Sequence, residues 1–491
     1  MKFIITLQSE ITIKSRPVRK RFTKILASNI KNVLRRVDEQ VTTQVNWDNI
    51  EVNSKNDNRE NRLALIDALK CIPGIPKFHE VQRFDFIDLP DTLEKTLAVH
   101  VKTIEQKTFC VRVKRSGTHD FTSLKVERYV GGGLRQAVAS SKVKLTKPDV
   151  TIRLEIKNQD LFIITTTHVG LNGLPIATQE DVLSLVSGGF DSGVASYQMI
   201  KKGSRTHYCF FNLGGSAHAV GVKQACYYLW KKFASSHKVK FLVVDFEPVI
   251  NEILENIDNG HMAVVLKRMM MRAAARIAKK GKVQALITGD AIGQVSSQTL
   301  TNLNVIDRVT DTLILRPLIA YDKQDIIDIA RAIGTEDFAK TIPEYCSVIS
   351  KSPTIKAILS KIEAEEENFN FDILDQAIRA TQIFDIRDIG QQAEAEIKAV
   401  DMVEQISGET IIIDIRSPDE EENQPLAIVG VEIKHLPFYK LGAQFSELDQ
   451  SKEYLLYCDH GVMSKLQALL LIDSGFNNVK VYRPTHNKSI T

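Results

Sequence analysis

Apolar residues recur along this chain in three rhythms, and each predicts an element. Strict alternation over 108–115 (Thr-Phe-Cys-Val-Arg-Val-Lys-Arg) predicts a half-buried strand. Val18, Phe22, Ile25, Leu26, Ile30, Val33 and Leu34 fall at helical spacing, predicting a helix from about Pro17 whose other side carries Arg19, Lys20, Lys24, Lys31 and Arg35. Short unbroken apolar runs at 181–186, 206–212, 239–246 and 283–288 read as buried parallel strands. Residues 193–203, 220–235 and 262–279 read as the helices between them, the first closed by Gly203. That alternation predicts a doubly wound parallel sheet, which binds ligands beyond the carboxyl ends of its strands. Residues 360–400 read as a charged helix and linker with Glu363, Glu365, Glu366 and Glu367 on a solvated face. A last set, with strands near 410–415 and 453–458 and a helix at 465–474 capped by Gly475, predicts a small α/β module before a disordered tail, 485–491.

At 491 residues the chain has room for about three domains. The fold class expected is multidomain α/β: an N-terminal α/β region over 1–62, a second module over 63–168, a nucleotide domain over 178–395 and the small module over 405–484. No apolar run reaches the ~18 residues a membrane span needs, and the N-terminus reads as a strand, so a cytoplasmic location is expected. The net charge is +4, but residues 1–150 carry 28 Lys and Arg against 17 Asp and Glu, while the remainder carries 36 against 43. A basic front end before an acidic remainder suggests a polyanion partner.

The chemistry centres on 187–192, Ser-Gly-Gly-Phe-Asp-Ser, between a strand and a helix. Glycines there let the backbone approach a ligand, and N–H groups at a helix start attract anions. No lysine follows as in a Walker loop, and Gly-x-Gly-x-x-Gly is absent. An ordinary βα turn with Asp191 as N-cap is the plain alternative. Downstream, Gly289 lets backbone approach a nucleotide, Gln298 can bond adenine or ribose, Lys267 could reach it from its helix, and Lys323 could contact phosphate.

Six cysteines are scattered without a Cys-x-x-Cys pair, which excludes a disulfide framework or zinc site and leaves no metal cluster. Cys110, Cys209 and Cys226 fall within strand or helix patterns and read as core thiols; Cys71 is undecided. Cys458 ends a strand and precedes Asp-His-Gly-Val-Met-Ser and a helix, the setting that stabilises a thiolate. No arginine lies in that loop, which favours a protein persulfide donor over a small anionic one. Cys346 lies in Ile-Pro-Glu-Tyr-Cys, 342–346, inside the nucleotide domain.

These stretches resemble known families. The 187–192 loop resembles the PP-loop of ATP pyrophosphatases that adenylate a carbonyl oxygen, the module over 63–168 resembles the RNA-binding THUMP domain, and 405–484 resembles a rhodanese domain. Their order, with Glu-Ile-Thr-Ile-Lys-Ser at 10–15, Pro-Glu-Tyr-Cys at 343–346 and Gly-Val-Met-Ser at 461–464, resembles the bacterial tRNA 4-thiouridine synthetases over essentially the whole chain. The resemblance implies a ferredoxin-like fold for the first region. It implies that Ser187, Gly188, Gly189 and Ser192, with Leu185, Val186, Lys267, Gly289 and Gln298, bind ATP, and that Asp191 and Lys323 serve adenylation with Mg²⁺. It implies tRNA as substrate, with Arg112, Lys114 and Arg115 as candidate contacts, and a cysteine desulfurase loading Cys458 with persulfide sulfur. Sulfur then replaces the adenylated uracil O4 at position 8, a Cys346–Cys458 disulfide forms, and a reductant resets it. The rhodanese extension further implies sulfur supply, through a sulfur-carrier protein, to the thiamine thiazole ring.

Three alternatives stay open at this level. An enzyme adenylating its substrate to join an amine would leave Cys458 idle. A tRNA-binding protein would leave the intact 187–192 loop unexplained. A dedicated thiazole sulfur supplier has no use for the basic front end.

Overall fold

The computed structural model divides the chain into two units, Met1–Thr178 with Lys201–Gly203, and Gln179–Ile200 with Ser204–Thr491. It describes residues 1–213, 216–342, 352–389 and, between 402 and 483, all but 405, 407–409, 417–420, 423–424, 427, 429, 438–440, 443 and 459–461.

The first unit is built on one eight-stranded sheet. Its strands are β1 (Lys2–Thr6), β2 (Thr42–Val45), β3 (Asn49–Asn53), β4 (Ile75–Asp85), β5 (Thr108–Ser116), β6 (Lys142–Val143), β7 (Val150–Lys157) and β8 (Asp160–Asn172), in the order β2-β3-β1-β4-β8-β7-β5-β6. The long β4 joins the halves, pairing with β1 on one side and β8 on the other. A boundary at 62/63 therefore fails: it cuts the helix Arg59–Lys70, whose Leu65 and Leu69 pack into the same core as Phe3, Leu26 and Phe78. The expected amphipathic helix spans Arg16–Leu34, with Val18 exposed because the buried stripe starts only at Phe22. A second core, including Phe109, Val130, Leu134 and Ile163, lies under the helices Leu89–Ile104 and Ser123–Ala137.

The second unit holds a six-stranded sheet of β9 (Val182–Val186), β10 (Thr206–Asn212), β11 (Lys240–Asp245), β12 (Ala285–Ile287), β13 (Leu313–Leu315) and β14 (Gln382–Asp385), ordered β13-β12-β9-β10-β11-β14. All pairs are parallel except β11 with β14. The chain runs from β9 to one side and returns later to its other side at β12, which makes the β9/β12 crevice the switch point where ligands bind. The edge strand β14 was not expected in the 360–400 stretch; four half-exposed residues carry too little pattern to announce it.

The solvated reading of that stretch also fails at Glu366. It is buried, and accepts from Arg268 at 2.6 and 2.9 Å and Arg272 at 2.6 Å. Burial alone would raise its pKa, but the two guanidiniums outweigh that and hold it below the usual carboxylate value. Arg268 is itself only 2% exposed, on the helix Met262–Gly281. Glu366→Ala would leave that charge buried and unpaired, so we expect a loss of about 3–5 kcal/mol, read as a lower urea midpoint; an unchanged midpoint would exclude this role.

A third sheet, all parallel, contains β15 (Met402–Val403), β16 (Ile411–Asp414), β17 (Ile433–His435), β18 (Tyr454–Tyr457) and β19 (Val479–Tyr482), ordered β15-β19-β18-β16-β17. Asp414 and Arg416, both buried, pair at 2.6 Å and fix the end of β16 beside that of β18. Among the described residues no helix is long and apolar enough to cross a membrane.

Candidate active site

The loop after β9 is shaped by its serines. Ser192, in the first turn of the helix Phe190–Lys201, takes the Ser187 N–H at 3.2 Å and donates to the Gly189 carbonyl at 3.3 Å, closing the loop on itself. Ser196 carries the tie onward, bonding Ser192 O at 2.7 Å and Ser184 Oγ in β9 at 2.8 Å. His218 Nε2 lies 3.0 Å from Ser187 O. Burial holds this imidazole below its ordinary pKa although the carbonyl bond opposes the shift. The ring is therefore neutral, with Nε2–H as donor. Gly188 has φ +86°, and a Cβ there would sit 2.7 Å from Ile342 Cδ1, so only glycine fits. β12 ends its register at Ile287 opposite Ser184, and Leu185 and Val186 lie beyond that ladder.

Gly289 sits closer to the loop than expected. A Cβ there would lie 2.7 Å from Ser192 N and Asp191 C, so glycine lets the end of β12 abut the helix start itself. Asp191 is half-buried and is gripped by Lys323, whose Nζ lies 3.0 and 3.1 Å from its two oxygens. A carboxylate and an ammonium thus stand together at a helix N-terminus, at the carboxyl end of a central strand.

Beside them is a residue that sequence reasoning missed. Asp290 is buried and takes Lys267 at 2.7 Å, Thr288 at 2.7 Å, Arg316 at 3.2 Å and Gln298 at 3.3 Å. Burial opposes its charge, but Lys267, Thr288 and Arg316 hold its carboxyl far below the usual range. Lys267 is therefore no surface charge. The only sequence signal was the position of Asp290 next to Gly289 at a predicted strand end.

Cys458 follows β18 and is buried. The Ser464 N–H points at its Sγ at 3.3 Å, a donor that a charged sulfur needs, and the thiol donates to Ser464 Oγ at 3.4 Å. The helix beginning there, Val462–Asp473, packs against the helices Ser216–Leu229 and Glu336–Thr341 of the nucleotide domain. Ile342, which touches Gly188 and Gly221, leads into the stretch holding Cys346, which lies outside the described residues. Cys110, Cys209 and Cys226 are buried, and burial pushes the Cys209 thiol up to about 12 and raises Cys226 as well, which keeps those two thiols protonated at neutral pH. Cys71 is half-buried.

Arg112, Lys114 and Arg115 are each engaged within their unit. Arg112 donates to Leu145 O at 3.0 Å and pairs with Glu127 at 3.6 Å, Lys114 pairs with Asp48, and Arg115 Nη1 lies 3.2 Å from His119 Nδ1. A second cationic surface surrounds an exposed ring, with Arg19 also donating to Trp47 O at 2.6 Å. Arg19 and Arg16 stand 4.2 and 5.9 Å from the ring of Trp47, which is 61% exposed.

Four family models match in sequence order: a ThiI ferredoxin-like domain over residues 3–78, a THUMP domain over 85–166, a thiamine biosynthesis protein (ThiI) over 177–371 and a rhodanese-like domain over 391–484. The chain is 72% identical to a tRNA sulfurtransferase of Colwellia psychrerythraea and 60% to one of Tolumonas auensis, covering 99% and 98% of this chain and all of each relative. A tRNA sulfurtransferase of Escherichia coli is 59% identical over 99% of this chain and its own full length. A solved 4-thiouridine synthetase, in complex with RNA and bound ATP, shares the fold at a TM-score of 0.70 and 23% identity, over 78% of this chain and 99% of that one. With this domain order, full-length identity of this size and a phosphate loop and a cysteine site within one unit, the chain belongs to the tRNA sulfurtransferase family.

Proposed function

We propose that the enzyme uses ATP to adenylate O4 of a tRNA uridine, at position 8, and replaces that oxygen with persulfide sulfur carried on Cys458. The observation that carries this reading is one unit holding both a glycine loop with Asp191 and Lys323 and a cysteine whose Sγ receives the Ser464 N–H. Both parts are needed: a uracil carbonyl is a poor electrophile until its oxygen becomes part of a good leaving group, and a persulfide brings sulfur without free sulfide.

In the first step uracil O4 attacks the α-phosphorus and pyrophosphate leaves. Ser187, Gly188, Gly189 and Ser192 cradle the phosphates, Lys323 balances charge as it develops, and Gln298 and the backbone of Leu185 and Val186 hold the base and sugar. Mg²⁺ would be held mostly by phosphate oxygens, and Asp191 would be the protein residue that meets it. Among the described residues no cluster of three or more His, Cys, Asp or Glu side chains could hold a metal ion by itself. When bound, the ion neutralises phosphate charge.

In the second step sulfur bonds to C4 and the C4–O bond breaks, releasing AMP. Cys346 attacks Cys458 Sγ and breaks its bond to the outer sulfur, either before that sulfur reaches C4 as sulfide or after it has attacked directly. Either order leaves a Cys346–Cys458 disulfide, and a dithiol reductant supplies the two electrons that reset it. A cysteine desulfurase loads Cys458, and the same persulfide serves thiazole synthesis through a carrier protein. A test of the coupling is the ratio of AMP released to labelled sulfur fixed in tRNA, expected to be one to one; AMP without sulfur in tRNA would sink the scheme.

The basic first unit, with its THUMP match, supports tRNA as the partner. Trp47 gives that contact a readout, because the chain's other tryptophan, Trp230, is buried. We expect bound tRNA to quench Trp47 fluorescence by base stacking, and log Kd to rise linearly with log salt. Binding without a salt slope would contradict the phosphate-led contact.

A further inference from the structure

We propose that Asp290 is a positioning residue that turns the Gln298 amide so that its oxygen reads the 6-amino group of adenine, which makes the enzyme selective for ATP over 6-oxopurine nucleotides. This rests on the nucleotide reading above and adds to it the rule by which the base is chosen.

The orientation follows from counting donors and acceptors. An ionised carboxylate only accepts, at about four lone-pair positions. Asp290 Oδ1 is taken by Lys267 Nζ and by Gln298, and Oδ2 by Thr288 Oγ1 and Arg316. Gln298 therefore turns its –NH₂ to Asp290, 3.3 Å away. Its Oε1 has to face the other way.

That oxygen has no hydrogen-bond partner among the described residues, although Gln298 is only 8% exposed. A buried acceptor without a donor is a cost the fold bears, and it points to a ligand that donates. The backbone around it is fixed: Gln298 N donates to Val295 O at 2.9 Å and Gly293 N to Gln298 O at 3.2 Å. The side chain thus starts from a short 3₁₀ turn, Ser296–Gln298, rather than from a loose loop. Gly289, the neighbour of Asp290, abuts the start of the phosphate-loop helix, so reader and cradle belong to one site.

An unpaired acceptor discriminates between purines by sign. Adenine places an N–H donor at position 6, whereas guanine and hypoxanthine place a carbonyl oxygen there. Acceptor against acceptor leaves both unpaired. A site built on a specific donor can reject an analogue lacking it by two orders of magnitude or more.

The test uses the full chain and equilibrium binding of ATP, purine riboside triphosphate, which has no group at position 6, and ITP. Wild type is expected to bind in that order, with ITP weaker than ATP by about 100-fold. Gln298→Met keeps the shape but removes both amide groups, and should shrink the ATP-to-ITP ratio to within a few-fold. Asp290→Asn gives Gln298 a donor to face, frees its amide to flip, and should move the ratio toward ITP. A merely structural role would weaken all three nucleotides equally and leave the ratio unchanged, which overturns the proposal. Equal binding of ATP and ITP by wild type also overturns it. No binding of any nucleotide by wild type would instead refute the underlying ATP reading.

Discussion

Cys458→Ser should yield an enzyme that still releases pyrophosphate from ATP in the presence of tRNA but fixes no sulfur, a loss on the order of 10³-fold or more, as for removal of other covalent nucleophiles. Serine keeps the size of the side chain and can occupy the same place under the Ser464 N–H, 3.3 Å from Sγ, so folding is not the variable. Oxygen cannot carry the transferable sulfur. The other described cysteines do not substitute: Cys110, Cys209 and Cys226 are buried in cores, and Cys71 lies in the first unit. Labelled sulfur counted in tRNA, alongside pyrophosphate release, separates the two half-reactions. Sulfur transfer persisting in the variant would move the carrier elsewhere. Loss of both signals would mean that the cysteine site is required for adenylation, which the scheme does not allow.

The second large effect is expected at the Asp191–Lys323 pair. Asp191→Ala and Lys323→Ala should each lower kcat/KM for adenylation by about 10²–10³-fold, the usual scale for a group that meets charge developing in a transition state. The two should not add. Lys323 holds both oxygens of Asp191, so each single change already spoils the pair, and the double variant should fall little below the worse single one. Lys323→Ala has a further consequence: it leaves an unbalanced carboxylate facing the phosphates. Pyrophosphate exchange within a few-fold of wild type in both single variants would show that the pair is not part of the chemistry.

What sequence could and could not reveal follows from how far apart the interacting residues lie. Buried parallel strands announce themselves locally: β10 is found as the apolar run 206–212, and the helix after β11's long connection appears within a few residues of its expected ends. The strand, glycine turn and helix around 187–192 were legible for the same reason, since they are contiguous. The Asp290 cluster was not. Its donors come from a helix 23 residues before it, a turn 8 residues after it and the end of another strand 26 residues after it, and no periodicity links them. Glu366 was misread as a solvated charge, and the partner of Lys267 went unseen, because charge type is local and pairing is not. The join at β4 escaped because two families of strands share one sheet without any break in pattern.

ATP-dependent thiolation of tRNA by this chain has an optical readout. The most direct measurement is the near-ultraviolet absorption of unmodified tRNA incubated with the enzyme, ATP, Mg²⁺, cysteine, a cysteine desulfurase and a reductant, against the same mixture without ATP. A new thionucleoside band should appear, and only with ATP. Pyrophosphate release with no such band would contradict thiolation and would place an amine-joining reaction on the same phosphate loop.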